Sequence, residues 1–187
     1  MTGTDDGDRG FGTLERADGE VTLRFTRLLP HPPAKVWRAL TEPQHLEAWF
    51  PTTIEGDLAR GAPLRFGFRE MQLPDFDGTM LAFDPPKLLE LIWGDERLRF
   101  ELTPDAAGTL LVFTASFTEL GRAARDAAGW HVCLDLVGLD LSGQRAPWAQ
   151  DERWRAVHRG YVAVFGPDAA AVGPPAEWED TYGPAQS

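Results

Sequence analysis

Four histidines and one cysteine are the side chains of this 187-residue chain best suited to metal or nucleophilic chemistry. His31, His45, His131 and His158 have no second histidine one helical turn away and no cysteine at zinc spacing, so the pattern offers no metal site. His131 does precede Asp135 by one helical turn, the spacing at which a carboxylate orients an imidazole for proton transfer. On a helical wheel the two fall at the edge of an apolar stripe, which predicts a solvated surface pair. Cys133 flanks Trp130 and lacks a basic neighbour to stabilise a thiolate, the setting of a buried and inert thiol. Glycines stand singly and form no phosphate-cradling run. The sequence thus nominates no catalytic residue and no cofactor. Any acid or base work would fall to His131, Tyr161 or a carboxylate.

Aromatic side chains are the stronger signal. Phe66, Phe68, Trp93, Phe100 and Phe113 recur at strand spacing, and Trp130 and Leu134 share one stripe of a long helix. Gathered on one face, they would line a pocket for a small or medium apolar ligand, or would interdigitate as solid core. Trp37 and Trp49 sit on short helical segments, where they either pack those helices onto the sheet or stand near a pocket entrance.

Positioning these groups requires a particular order of elements. Val21, Leu23 and Phe25 alternate with Thr22, Arg24 and Thr26, which predicts a first strand half buried in a sheet. Pro33 and Pro43 are helix-start signals, and they predict two short helices, 33–40 and 43–50. Six strands follow at 52–58, 63–71, 78–84, 87–93, 96–103 and 109–117, separated by turn residues and too closely spaced for helical crossovers. A long helix over 122–142 and a last helix over 148–165 close the pattern. The long helix has a second apolar stripe, Val132, Leu136 and Leu139. Either the last helix covers it within the chain, or residues 132–139 and 154–165 form a homodimer contact. The fold class is therefore α+β: a curved antiparallel sheet of about seven strands, clasped by a long C-terminal helix. Such a sheet is wider than one helix can cover, which leaves room for a hollow beside Trp130.

Composition sets outer limits. Charged residues make up 25% of the chain and its net charge is -11, with no basic patch of the kind that binds nucleic acid or an anionic membrane surface. Most of the acidity lies at the ends, in residues 1–20 and 168–187. The expected organisation is an acidic disordered arm over 1–20, one domain over 21–166, and a disordered Pro/Gly-rich tail over 167–187 that includes Trp178 and Tyr182. The single cysteine, the polar start Met1–Gly12 and the absence of a long apolar run make a cytoplasmic location the expectation.

Four stretches in sequence order resemble a known family. They are Pro33-Ala34-Lys35-Val36-Trp37-Arg38-Ala39-Leu40-Thr41-Glu42-Pro43 with Leu46 and Trp49, then Gly78, then Asp84-Pro85-Pro86 with Leu88 to Trp93, and finally Gly129-Trp130 with Leu134-Asp135. Together they are similar to proteins related to the activator of the heat-shock-protein-ninety ATPase, in the START-like (SRPBCC) superfamily. The resemblance spans about residues 21–143 and implies a helix-grip fold. It also implies three functional classes: carriage of a small apolar molecule, regulation of a chaperone ATPase, or cyclase or hydratase chemistry on an aromatic or polyketide-like substrate.

Overall fold

The structure, a computed structural model, describes residues 10–69 and 73–174. The first strand, β1 (Thr13–Ala17), is followed by β2 (Glu20–Leu29) and two short helices, α1 (Pro33–Thr41) and α2 (Pro43–Trp49). Then come β3 (Thr52–Glu55), β4 (Pro63–Phe68), β5 (Phe76–Asp84), β6 (Leu88–Trp93), β7 (Glu96–Asp105) and β8 (Gly108–Phe117). The long helix α3 (Ala123–Leu141) and α4 (Gln150–Phe165) complete the set. All eight strands form one antiparallel sheet in the order β1-β2-β8-β7-β6-β5-β4-β3.

The period-two alternation decides what lies inside. Val21, Leu23 and Phe25 of β2, Leu98 and Phe100 of β7, and Leu111, Phe113 and Ala115 of β8 are all buried on the face that α3 covers. On the opposite face Arg97 and Arg99 both bind Glu90 of β6, the cross-strand pairing expected of an outer surface, and Arg99 also binds Glu101 on its own strand. Gly78 is required by close approach: a Cβ there would overlap the Ile92 carbonyl of the neighbouring strand.

Both helix starts are as the prolines predict, with Pro33 and Pro43 in the first turn. Thr41 and Glu42 provide no side-chain cap to α2. Instead the Glu42 carbonyl accepts the backbone N–H of Leu46, and the Glu42 N–H closes α1 onto Arg38. The two helices thus share a one-residue joint.

Two expectations are corrected at the chain ends. Residues 13–17 are not part of a loose arm but pair with β2 as an eighth, edge strand. Its residues are mostly exposed, so the alternation that marks a half-buried strand is absent. Beyond α4, Pro167–Ala170 forms a 3-10 turn with Ala169 buried, and the Val172 N–H binds the Gly121 carbonyl. Residues 1–9 and 175–187, with Trp178 and Tyr182, lie outside the described residues.

The stripe of α4 packs within the chain. Trp154, Val157 and Tyr161 are buried, and Arg153 holds Asp135 of α3 at 2.8 Å. None of the described helices is long and apolar enough to cross a membrane.

Candidate ligand site

Seven of the nine aromatic or apolar residues nominated by the sequence join one run of ring contacts on the inner face. Starting from α2, the run passes from Trp49 to Phe100, Phe113 and Trp130, with ring centroids 5.9, 4.6 and 5.1 Å apart. It continues from Trp130 to Trp93 at 5.6 Å and to Phe68 at 6.5 Å, and Phe76 links Phe68 to Phe66. Edge-to-face and tilted pairs at these separations are the favoured geometry of aromatic packing. The run is graded in exposure: Phe66, Phe100 and Phe113 are fully buried, whereas Phe68, Phe76 and Trp93 are half-buried.

The other two lie elsewhere. Trp37 packs at a tilt against Phe83, ring centroids 5.4 Å apart, fixing α1 to β5, and Leu134 is buried on α3. Trp49 uses its indole N–H to bind the Ala39 carbonyl at 2.8 Å, so it also ties α2 to α1.

Glu96 is the polar residue that the sequence reading overlooked. It has the same inward parity as Leu98 and Phe100, pairs in register with Trp93, and is 5% exposed. Its Oε2 accepts the Trp130 indole N–H at 3.2 Å. Arg122, just before α3, is drawn more closely to Asp95 at 2.9 Å and Asp126 at 3.1 Å than to Glu96 at 3.7 Å. Its guanidinium also lies over the Phe117 ring at 4.6 Å. Arg125 holds Asp126 from the other side at 2.7 Å. Burial pushes the Glu96 carboxyl up to about 7, and the nearby Asp126 charge adds to this, while Arg122 and the Trp130 N–H only partly offset them. Asp126 is raised too, chiefly by burial.

His131 was expected at the surface. It is instead 1% exposed, because α4 and the N-terminal segment cover the side of α3 that faces away from Trp130. Its Nδ1 lies 3.0 Å from the Tyr161 hydroxyl, which accepts the Gly12 backbone N–H at 2.8 Å. On its other side, Nε2 lies 3.4 Å from Arg153 Nη2 and 3.7 Å from Asp135 Oδ2. Burial holds the imidazole down to about 4, so it is neutral at ordinary pH. The Tyr161 phenol is pushed up to about 12, again chiefly by burial. The pair is a satisfied core network, and its hydrogen-bonding capacity is spent inside the fold.

The thiol of Cys133 is likewise pushed up to about 12 by burial. Because its side chain is only half-buried, iodoacetamide at pH 8 is expected to alkylate it far more slowly in the folded protein than after denaturation. A native-state rate equal to that of a free thiol would contradict this placement.

A separate groove of about 270 Å³ lies between Ala48 of α2, Leu136, Leu139 and Asp140 of α3, and the segment 144–146. No sheet residue lines it. Beside it His45 Nδ1 meets Asp140 Oδ2 at 2.7 Å. Among the described residues no three His, Cys, Asp or Glu side chains converge as a metal site.

Solved structures share this architecture. A protein of unknown function, EF2215 from Enterococcus faecalis, superposes with a TM-score of 0.67 at 22% identity over 82% of this chain and 90% of its own. CalU16 from Micromonospora echinospora gives 0.66 at 20% identity, covering 84% of this chain and 98% of its own. The protein encoded by BPP1335 of Bordetella parapertussis gives 0.60 at 25% identity, covering 86% and 94%. No curated protein sequence matches the chain. The family model described as "Activator of Hsp90 ATPase homolog 1-like protein" matches residues 30–137, from the end of β2 through most of α3, and the chain belongs to that family.

Proposed function

We propose that this protein binds a small apolar, ring-containing ligand at the half-buried end of the aromatic run, between β4–β6 and the Trp130 side of α3. One observation carries the reading. An unbroken series of ring contacts leads from fully buried Phe113, through Trp130, to half-buried Trp93, Phe76 and Phe68 on the concave face of a helix-grip fold. Exposed aromatic edges on a soluble domain gain ~25 cal/mol for each Å² of apolar area that a guest covers. The deeper rings are already in mutual contact, with Phe100 and Phe113 only 4.6 Å apart, so the guest stacks at the rim or parts Trp93 from Trp130. Trp37 and Trp49 keep the helices in place rather than touching the guest.

Titration with prodan, a neutral environment-sensitive naphthalene dye, tests the reading. Saturable, competable binding with a blue-shifted emission is expected, weakened at least fivefold in Trp93→Ala. An absence of saturable binding would remove the ligand-carrier reading and leave only the fold.

A further inference from the structure

We propose that Glu96, together with the rings of Trp93 and Trp130, forms a polar end to this site that selects a flat aromatic ligand carrying a permanent or protonated cationic nitrogen. The inference rests on the ligand-binding reading above and adds the chemical class of the ligand. Three features lead to it.

The first is the position of the carboxyl group. Glu96 occupies an inward strand position opposite Trp93, where its neighbours Leu98 and Phe100 are apolar. A core needs no acid at such a position, because burying a carboxylate without a full partner is costly. The second is how its oxygens are used. Oε2 takes the Trp130 N–H, while among the described residues Oε1 has only the distant Arg122 guanidinium, 3.7 Å away. The nearby Arg122 Nε and Nη2 and Asp126 Oδ2 are buried without an aligned hydrogen bond, although the charges stand within ion-pair distance. The third is the local charge. Asp95, Glu96 and Asp126 face Arg122 and Arg125, so once Glu96 ionises the cluster holds one negative charge more than it can neutralise.

A cation would complete that balance. It would also meet the negative faces of Trp93 and Trp130, the surfaces on which cationic nitrogen is preferred. A carboxylate ligand would meet the same carboxylates with repulsion. Every charged group facing Glu96 enters the pH dependence: Asp95 from the β6–β7 turn, Arg122 before α3, and Asp126 and Arg125 on α3, together with the neutral Trp130 N–H. As Glu96 ionises around pH 7, affinity for a permanent cation should rise about tenfold from pH 6 to pH 8.

The test compares N-methylquinolinium with its neutral isostere 1-methylnaphthalene, titrated calorimetrically into the full chain at pH 6 and pH 8. The expected result is that the cation binds at least tenfold more tightly than the isostere at pH 8. That preference should fall about tenfold at pH 6 and vanish in Glu96→Gln, which keeps the acceptor for Trp130. The isostere should bind wild type and variant alike at both pH values. Equal affinities of the two probes at pH 8, a pH-independent preference in the wild type, or a preference retained in Glu96→Gln would overturn the inference while leaving the apolar site intact. Binding of neither probe would overturn the ligand-binding reading itself.

Discussion

Glu96→Gln is expected to be more stable than the parent protein at pH 8 by ~3 kcal/mol, and equal to it below pH 4.5. The folded chain raises this carboxyl from 4.5 to about 7, so it holds its proton longer than the unfolded chain does. The associated stability is fully present below pH 4.5 and is lost as pH rises through 7. Glutamine cannot ionise, so the variant is spared that loss while its side-chain oxygen still accepts the Trp130 N–H. His131 acts with the opposite sign. Its folded value of about 4 lies below the unfolded 6.5, so the unfolded chain binds the extra proton and stability falls by ~3 kcal/mol as pH drops from 6.5 to 4. Between pH 4.5 and 6.5 the two slopes nearly cancel in the parent. Denaturant midpoints across pH 4 to 8 should therefore be flat in that window for the parent and rise with pH for Glu96→Gln. Parallel profiles would mean that Glu96 is not buried as described.

That prediction bears on how much the sequence could reveal. Strand parity was legible wherever apolar and polar residues alternate, and the same parity, counted back two positions from Leu98, places Glu96 indoors. Attention to aromatic spacing alone hid it, because a charged residue at a strand end reads as solvent-facing. The prolines marked α1 and α2 to within a residue. The edge strand β1 was illegible for a different reason: glycines and acids dominate its surroundings, and four of its five side chains are exposed. What fixes it lies far away in the sequence, in Tyr161 and Gly160. His131 was misplaced for a related reason. The wheel that put it at the edge of the sheet-facing stripe could not show that α4 and Phe11 close over the other side of α3. The aromatic set was largely gathered as expected, but whether its rings part for a guest depends on packing, which letters do not specify.

The second large effect is expected from one oxygen atom. Tyr161→Phe keeps the buried ring, which touches Phe11 at 4.6 Å and Phe25 at 6.4 Å, and removes only the hydroxyl. Two groups then lose their partner in a buried setting: the Gly12 N–H and the His131 Nδ1. Orphaning a buried polar group costs ~1 to 3 kcal/mol each, so a loss of ~2 to 6 kcal/mol is expected in denaturant unfolding. The damage should be local before it is global. Strand β1 has little buried surface of its own, so its hold on β2 depends on the anchor at Phe11 and Gly12. Amide exchange at Gly12 and along Thr13–Ala17 should accelerate, while that of β7 and β8 at the sheet centre should report only the global change. Gly160→Ala reaches the same anchor by a different route, since its Cβ would lie 2.5 Å from the Phe11 ring and would push that ring out while sparing the hydroxyl. If both variants left β1 exchange unchanged, the strand would be held by its backbone pairing alone, and the His131–Tyr161 network would be a core ornament rather than the clasp that joins the N-terminal strand to the two long helices.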